Sequence, residues 1–326
     1  KPLSFKDKEE THASLNANGT GPYMLVSRQP AIKTVYKRNP AWWGKLEGNV
    51  QEIVYSQISN DATRLAALIS GEIDFVLDPA PRDVARLRNT EGVRVIDGME
   101  NRVIYVGMDQ ARDSLLYGKS PDGKNPFKDV RVRRALYQAI DIETIKTKLM
   151  NGQSQPTGVL VPSPLAAFND PEIEKRLPYD LAKAKALMAE AGYASGFEVT
   201  FDCPNNRYIN DEELCIALAA MWDKIGVKVR VNAMPRSTYF PKTEKLDTSL
   251  YLFGWGGAIT DAETTFTPIY RNRGTAGVGE YNRGNYKDDK LDAMAAATST
   301  EADPAKRREM IKAVFREHNE QMRHIR

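Results

Sequence analysis

Between residues 179 and 253 the chain keeps returning to one pattern: apolar residues three and four apart, then a glycine, then a short run of β-branched and aromatic residues. Leu181, Ala184, Leu187, Met188 and Ala191 share one helical face, and Gly192 follows at the stop position. A strand is predicted at 197–201, a helix at 211–225 closed by Gly226, a strand at 227–231, a short helix at 237–245 and a strand at 249–253. Helices alternating with short buried strands dictate an α/β fold, with parallel neighbours and right-handed crossovers. In such sheets ligands sit beyond the carboxyl ends of the strands.

The rest of the chain fits this frame. Its 326 residues, 41% of them hydrophobic, suffice for about two domains with cores of their own. Residues 1–20 are polar and unpatterned, and Asn18-Gly19-Thr20-Gly21-Pro22 is a turn. A hairpin over 23–26 and 33–37 follows, broken at Asn39-Pro40 and Gly44 around Trp42-Trp43. Next come a strand at 51–58, a helix capped by Asp61 with Leu65, Leu68 and Ile69 on one face, a strand at 73–77, a helix at 82–88 and a strand at 93–96, in βαβαβ rhythm. After a further strand at 102–108, the polar loop 109–128 marks a boundary between residues 1–108 and 109–326. Helices at 129–140 and 141–150, an extended proline-rich segment at 155–178 and closing helices at 290–298 and 304–322 complete the reading.

Charge gives no reason to expect nucleic acid or anionic lipid as a partner, because 46 Lys and Arg against 43 Asp and Glu leave only +3. No apolar run is long enough to span a bilayer, and no charged start precedes an apolar block. The chain opens at Lys1 and stops at Arg326 inside a helical pattern, as a fragment or trimmed form would.

Several chemistries fail at named positions. Gly118-Lys119-Ser120 lacks the glycine that a phosphate loop needs at 113, where Asp113 stands; Gly277-Val278-Gly279 meets Asn282 where a dinucleotide fingerprint needs glycine. There is no G-x-S-x-G, and His12, His318 and His324 are distant or, for the last two, on different faces of one expected helix. Neither a metal nor a cofactor is expected. Cys203 and Cys215 are expected as two buried thiols, a single bridge being the alternative.

One stretch remains, SLYLFGWGGAITDAETTF at 249–266, where a buried strand ends in glycines around Trp255 and meets Asp261 and Glu263. Two neighbouring acids admit a glycoside-hydrolase reading; solvated or capping carboxylates are the plainer one.

The order of segments resembles a known family. GTGPYMLVSRQPAIKTVYKRNPAWWG (19–44), SGEIDFV (70–76), NPFKDVRVRRALYQAID (125–141) and YDLAKAKALMAEAGY (179–193) are similar, in order and spacing, to the peptide/nickel-type extracellular solute-binding proteins, family 5, which serve ABC importers. The resemblance covers nearly all of the chain. Each marker also has a scaffold role, as turn, aromatic bend or helix face. The resemblance implies a two-lobe, type II periplasmic-binding-protein-like α/β fold, here the later part of lobe one and most of lobe two, crossing near 102–109. It implies reversible capture of a peptide or peptide-like solute at the periplasmic or extracellular face, delivery to a membrane permease, and no catalysis; a non-peptide small solute is the runner-up.

It also implies where the solute is held. The loop after the first lobe-two strand supplies Asn206, Arg207, Tyr208 and Asn210, with Arg207 suited to a carboxylate and Tyr208 to stacking. In the dipeptide-type pattern the arginine stands two before the tyrosine, at Asn206, and Arg207 has the alternative of pairing with Asp211 or Glu212. The other segment supplies Trp255 as a flat wall and Gly256 and Gly257 as close backbone. Where peptide-binding relatives carry an aspartate for the α-ammonium this chain has Ala258, with Asp261 three residues on as a substitute.

Overall fold

A computed structural model of the protein describes residues 12–161, 170–256 and 261–326. The chain divides into two compact units, Lys1–Pro79 and Ala80–Arg326.

In the smaller unit, β1 (Tyr23–Gln29), β2 (Lys33–Arg38) and β3 (Glu52–Ser56) form an antiparallel meander, with Tyr23 opposite Arg38 and Lys33 opposite Ser56. The hairpin is where the alternating pattern put it. The cap of the helix Asp61–Ser70 is one residue earlier than expected, at Asn60 and not Asp61: the Asn60 side chain accepts from the Thr63 amide, and Gly71 ends the helix at φ 78°. The strand predicted at 73–77 does not form. Phe75 and Leu77 are 75% and 70% exposed, so this apolar run has no sheet to join.

In the larger unit the strand predicted at 93–96 is absent too, and the βαβαβ rhythm with it. The sheet consists of β4 (Val103–Met108), β5 (Gly118–Lys119), β6 (Phe197–Pro204), β7 (Val227–Met234), β8 (Leu250–Trp255) and β9 (His324–Ile325). The strand expected at the domain boundary, β4, is part of this sheet, and the two compact units part upstream of it, after Pro79. Across the sheet the order is β7, β6, β8, β4, β9, with β5 paired to the start of β6. β6 is parallel to β7 and β8, as helical crossovers require. β4 is antiparallel to β8 along its whole length, Val103 facing Trp255 and Met108 facing Leu250.

β8 runs two residues past its expected end, through Gly254 to Trp255. Its side chains alternate between two cores. Leu250 and Leu252 join Phe201, Trp222 and Leu136 on one face; Tyr251 and Phe253 join Tyr105, Phe266 and Phe315 on the other. Trp222, fully buried, donates its indole N–H to the Leu136 carbonyl at 2.9 Å.

Three local expectations are corrected. Cys203 and Cys215 are one disulfide and not two thiols: their Cα atoms are 6.6 Å apart, which brings the end of β6 within bridging reach of the helix Asp211–Asp223. The segment 141–150 is a single α turn, Ile142–Thr144, opening into a π turn, Ile145–Leu149. The last two histidines do not share a helix. The helix Pro304–Gln321 stops, Met322 reverses the chain at φ 46°, and His324 on β9 returns against His318, Nδ1 to Nε2 at 2.9 Å. Among the described residues no three His, Cys, Asp or Glu side chains converge on a metal position, and no described helix is long and apolar enough to cross a membrane.

Candidate functional site

The carboxyl ends of β6 and β8 and the start of β4 lie side by side in the larger unit's sheet. Beyond β6 the chain turns through 205–210 before the helix Asp211–Asp223. Asp211 builds that turn: its buried carboxylate accepts from the amides of Arg207 and Tyr208, both at 2.9 Å, and Asn210 adopts a left-handed conformation at φ 52°. Burial raises the Asp211 carboxyl above its ordinary range, and the backbone donors oppose that rise. The disulfide ties both ends of this loop, 203 to 215.

The turn places the four expected residues differently. Arg207 is half-buried, its guanidinium carbon 4.8 Å from the Tyr208 ring centroid, and its side chain pairs with neither Asp211 nor Glu212. Tyr208 lies against Gly254 and donates to its carbonyl at 3.4 Å; burial raises its phenol. Asn206 is exposed and accepts from the Arg236 amide at 2.8 Å, while Asn210 donates to the Leu149 carbonyl at 3.0 Å. These last two amides are engaged in holding the loop to its neighbours.

Trp255 occupies the other face of β8. It is half-buried, donates its indole N–H to the Thr264 carbonyl at 3.0 Å, and sets its ring 4.9 Å from that of Tyr281. The two expected contact segments therefore flank the end of β8 from opposite sides. Gly256 backs onto the Asn101 carbonyl, where a Cβ would stand 2.4 Å from the oxygen. The close approach allowed by Gly254 and Gly256 is thus made to Tyr208 and Asn101. Gly257 and Ala258 lie outside the described residues.

Asp261 is occupied. Both its oxygens accept from the Arg307 guanidinium, at 2.8 and 2.7 Å, and this hydrogen bonding holds the carboxyl below its ordinary range. Glu263 accepts from the Thr267 hydroxyl with one oxygen. A hydrolytic general acid needs a raised pKa, and the Arg307 pairing pushes Asp261 the other way.

Two residues here carry more weight than their sequence context announced. Tyr281 bridges Trp255 and Arg283, with the Arg283 guanidinium carbon 5.0 Å from the Tyr281 ring centroid. In the stretch GEYNRGNY, 279–286, only Gly279 and Asn282 belong to a recognisable pattern, the dinucleotide fingerprint that fails at Asn282. A shallow concavity of about 530 Å³ lies elsewhere, rimmed by Glu198, Asp223, Lys228 and Arg230, and shares no residue with this cluster.

Comparison with known proteins gives a consistent result. The family model described as bacterial extracellular solute-binding proteins, family 5 middle, matches residues 1–277. Heme-binding protein A of Haemophilus influenzae is 27% identical over 279 residues, 85% of this chain and 48% of the relative. The dipeptide-binding protein of Escherichia coli is 27% identical over 276 residues, 84% and 49% of the two chains. The crystal structure of a dipeptide-binding protein from Pseudoalteromonas sp. SM9913 in complex with Met-Leu superposes with a TM-score of 0.80 at 24% identity, covering 94% of this chain and 58% of that one. The likeness bears out the expected α/β fold of periplasmic-binding-protein type. The chain spans about half the length of the curated relatives it matches.

Proposed function

The chain belongs to the bacterial extracellular solute-binding proteins, family 5, and from that membership we propose that it serves the substrate-binding component of an ABC importer. A peptide or peptide-like solute is held reversibly, without bond making or breaking, at the periplasmic or extracellular face, and is handed to a membrane permease. The lobe assignment belongs to the same reading, with residues 1–108 contributing to lobe one and 109–326 to lobe two.

The observation that carries the reading is the placing of Arg207 and Tyr208 in the loop beyond the carboxyl end of β6, with Trp255 across the end of β8 on its other side. That is the favoured ligand position in an α/β sheet. The Arg207 guanidinium has no carboxylate partner among the described residues, so it is available to a ligand carboxylate. A non-peptide solute is the second reading, favoured by Ala258 where a neutralising acid is expected.

Calorimetric titration with di- and tripeptides tests the proposal. Saturable binding that weakens about tenfold or more in Arg207→Gln is the expected result. Absence of binding to any unmodified peptide would exclude the peptide reading, and turnover of a chromogenic glycoside would sink the binding-only reading.

A further inference from the structure

Arg283 is a buried cation without a counter-ion among the described residues. Its residue is only 6% exposed, its Nε and Nη1 have no hydrogen-bond partner, and no described carboxylate lies within ion-pair distance of it. Burying a guanidinium unpaired costs several kcal/mol, roughly, even after relaxation. The aromatic face of Tyr281 offsets part of that cost, and such contacts are worth only about 1–2 kcal/mol.

The segment around Arg283 is rigidly built. Asn282, fully buried, donates to the carbonyls of Arg271 and Tyr286 at 3.2 and 2.9 Å, and the Tyr286 hydroxyl donates to those of Ile269 and Tyr270 at 3.0 and 3.1 Å. Arg273 closes the same loop through the Glu280 carbonyl at 2.9 Å; burial first, and then Arg283 beside it, lowers its pKa. Glu280 and Glu244 act on Arg273 in the opposite sense, and neither forms an ion pair with Arg283. Asp261, on the loop that follows Trp255, is paired with Arg307.

We infer that Arg283, set on the aromatic wall of Trp255 and Tyr281, receives an oxyanion of the solute, and that this protein selects acidic solutes over neutral ones. The inference rests on the binding-protein reading above and adds to it a ligand class: molecules with an acid group apart from any bound at Arg207. It agrees with Ala258, since a positive site has no need of an ammonium-neutralising acid.

Matched probes separate acid from shape. The full chain, its Arg283→Gln variant and its Arg283→Lys variant are titrated with Ala-Glu against Ala-Gln, with glutarate against glutaramide, and with inorganic phosphate. The expected result is a preference of about tenfold for the acid in at least one pair, lost in Arg283→Gln and partly kept in Arg283→Lys. Phosphate that outcompetes the carboxylates assigns the oxyanion to phosphate. If peptides fail to bind but glutarate binds in an Arg283-dependent way, the peptide reading fails and this one stands. If no acid probe shows an Arg283-dependent preference, the inference is overturned. A thermal melt of each variant guards the comparison, and should Arg283→Gln not fold, the Lys variant's acid-to-amide ratio against wild type decides.

Discussion

Gly254 leaves no room for a side chain: a Cβ there would stand 2.6 Å from Tyr208 Cε1 and 2.8 Å from Ile104 Cδ1. Gly254→Ala should therefore push the Tyr208 ring off the strand and cost about 1–3 kcal/mol, read as a lower melting temperature. The Asp261–Arg307 pair is about a third exposed on the acid side, so Asp261→Asn should cost only about 1 kcal/mol. Because Asp261 has a folded pKa below its unfolded one, its contribution is full above the ordinary carboxylate range and is lost as pH falls through the folded value. The buried histidine pair acts at higher pH. Burial lowers both His318 and His324, the latter to about 3, so the unfolded chain takes up protons that the folded one refuses. Stability should then be full above about pH 6.5 and fall by up to about 1.4 kcal/mol per pH unit for each histidine as pH drops. Urea titrations at stepped pH check this, and His324→Gln should flatten the slope; an unchanged slope would contradict it. Residue types such as Arg207 and Trp255 were readable as candidates because their chemistry is written in the side chain. Their partners were not, since the Asp261–Arg307 and His318–His324 pairs join residues that meet only after a helix ends or a loop returns.

At the scale of elements, helices 181–190 and 211–223 and strands β6 to β8 were legible because periodicity and stop glycines agreed there. The failures at 73–77 and 93–96 have one cause: a short apolar run is a strand only if another strand is beside it, and that is a long-range fact. The disulfide belongs to this scale as well. It closes the loop that carries Arg207, Tyr208 and Asn210 between β6 and the helix behind it. Replacing both cysteines by alanine should destabilise the larger unit by about 3 kcal/mol on the loop-entropy argument, measured by urea unfolding without reductant. It should also weaken solute binding, because the loop would lose part of its preorganisation.

For the molecule as a whole, resistance to unfolding should differ along the larger unit. Residues 89–101 carry no regular secondary structure and are largely exposed, whereas β4, immediately after them, is locked between β8 and β9. Limited proteolysis should cut first in this segment and leave a resistant product that begins near Val103. A first cut within β6 to β8 would contradict this expectation. The sequence order identified the family across both units, because its markers are local turns and helix faces; the location of the division depends on which surfaces pack, and no local pattern records that.

Trp255 offers an optical handle on all of this. The protein has four tryptophans: Trp222 is sealed in the core, Trp42 and Trp43 belong to the smaller unit, and Trp255 stands half-buried beside Tyr281 with its indole N–H on a backbone carbonyl. A solute arriving at that ring changes its polarity and quenching while Trp222 emits unaltered. Intrinsic fluorescence, compared between the wild type and Trp255→Phe, should therefore report occupancy without any label.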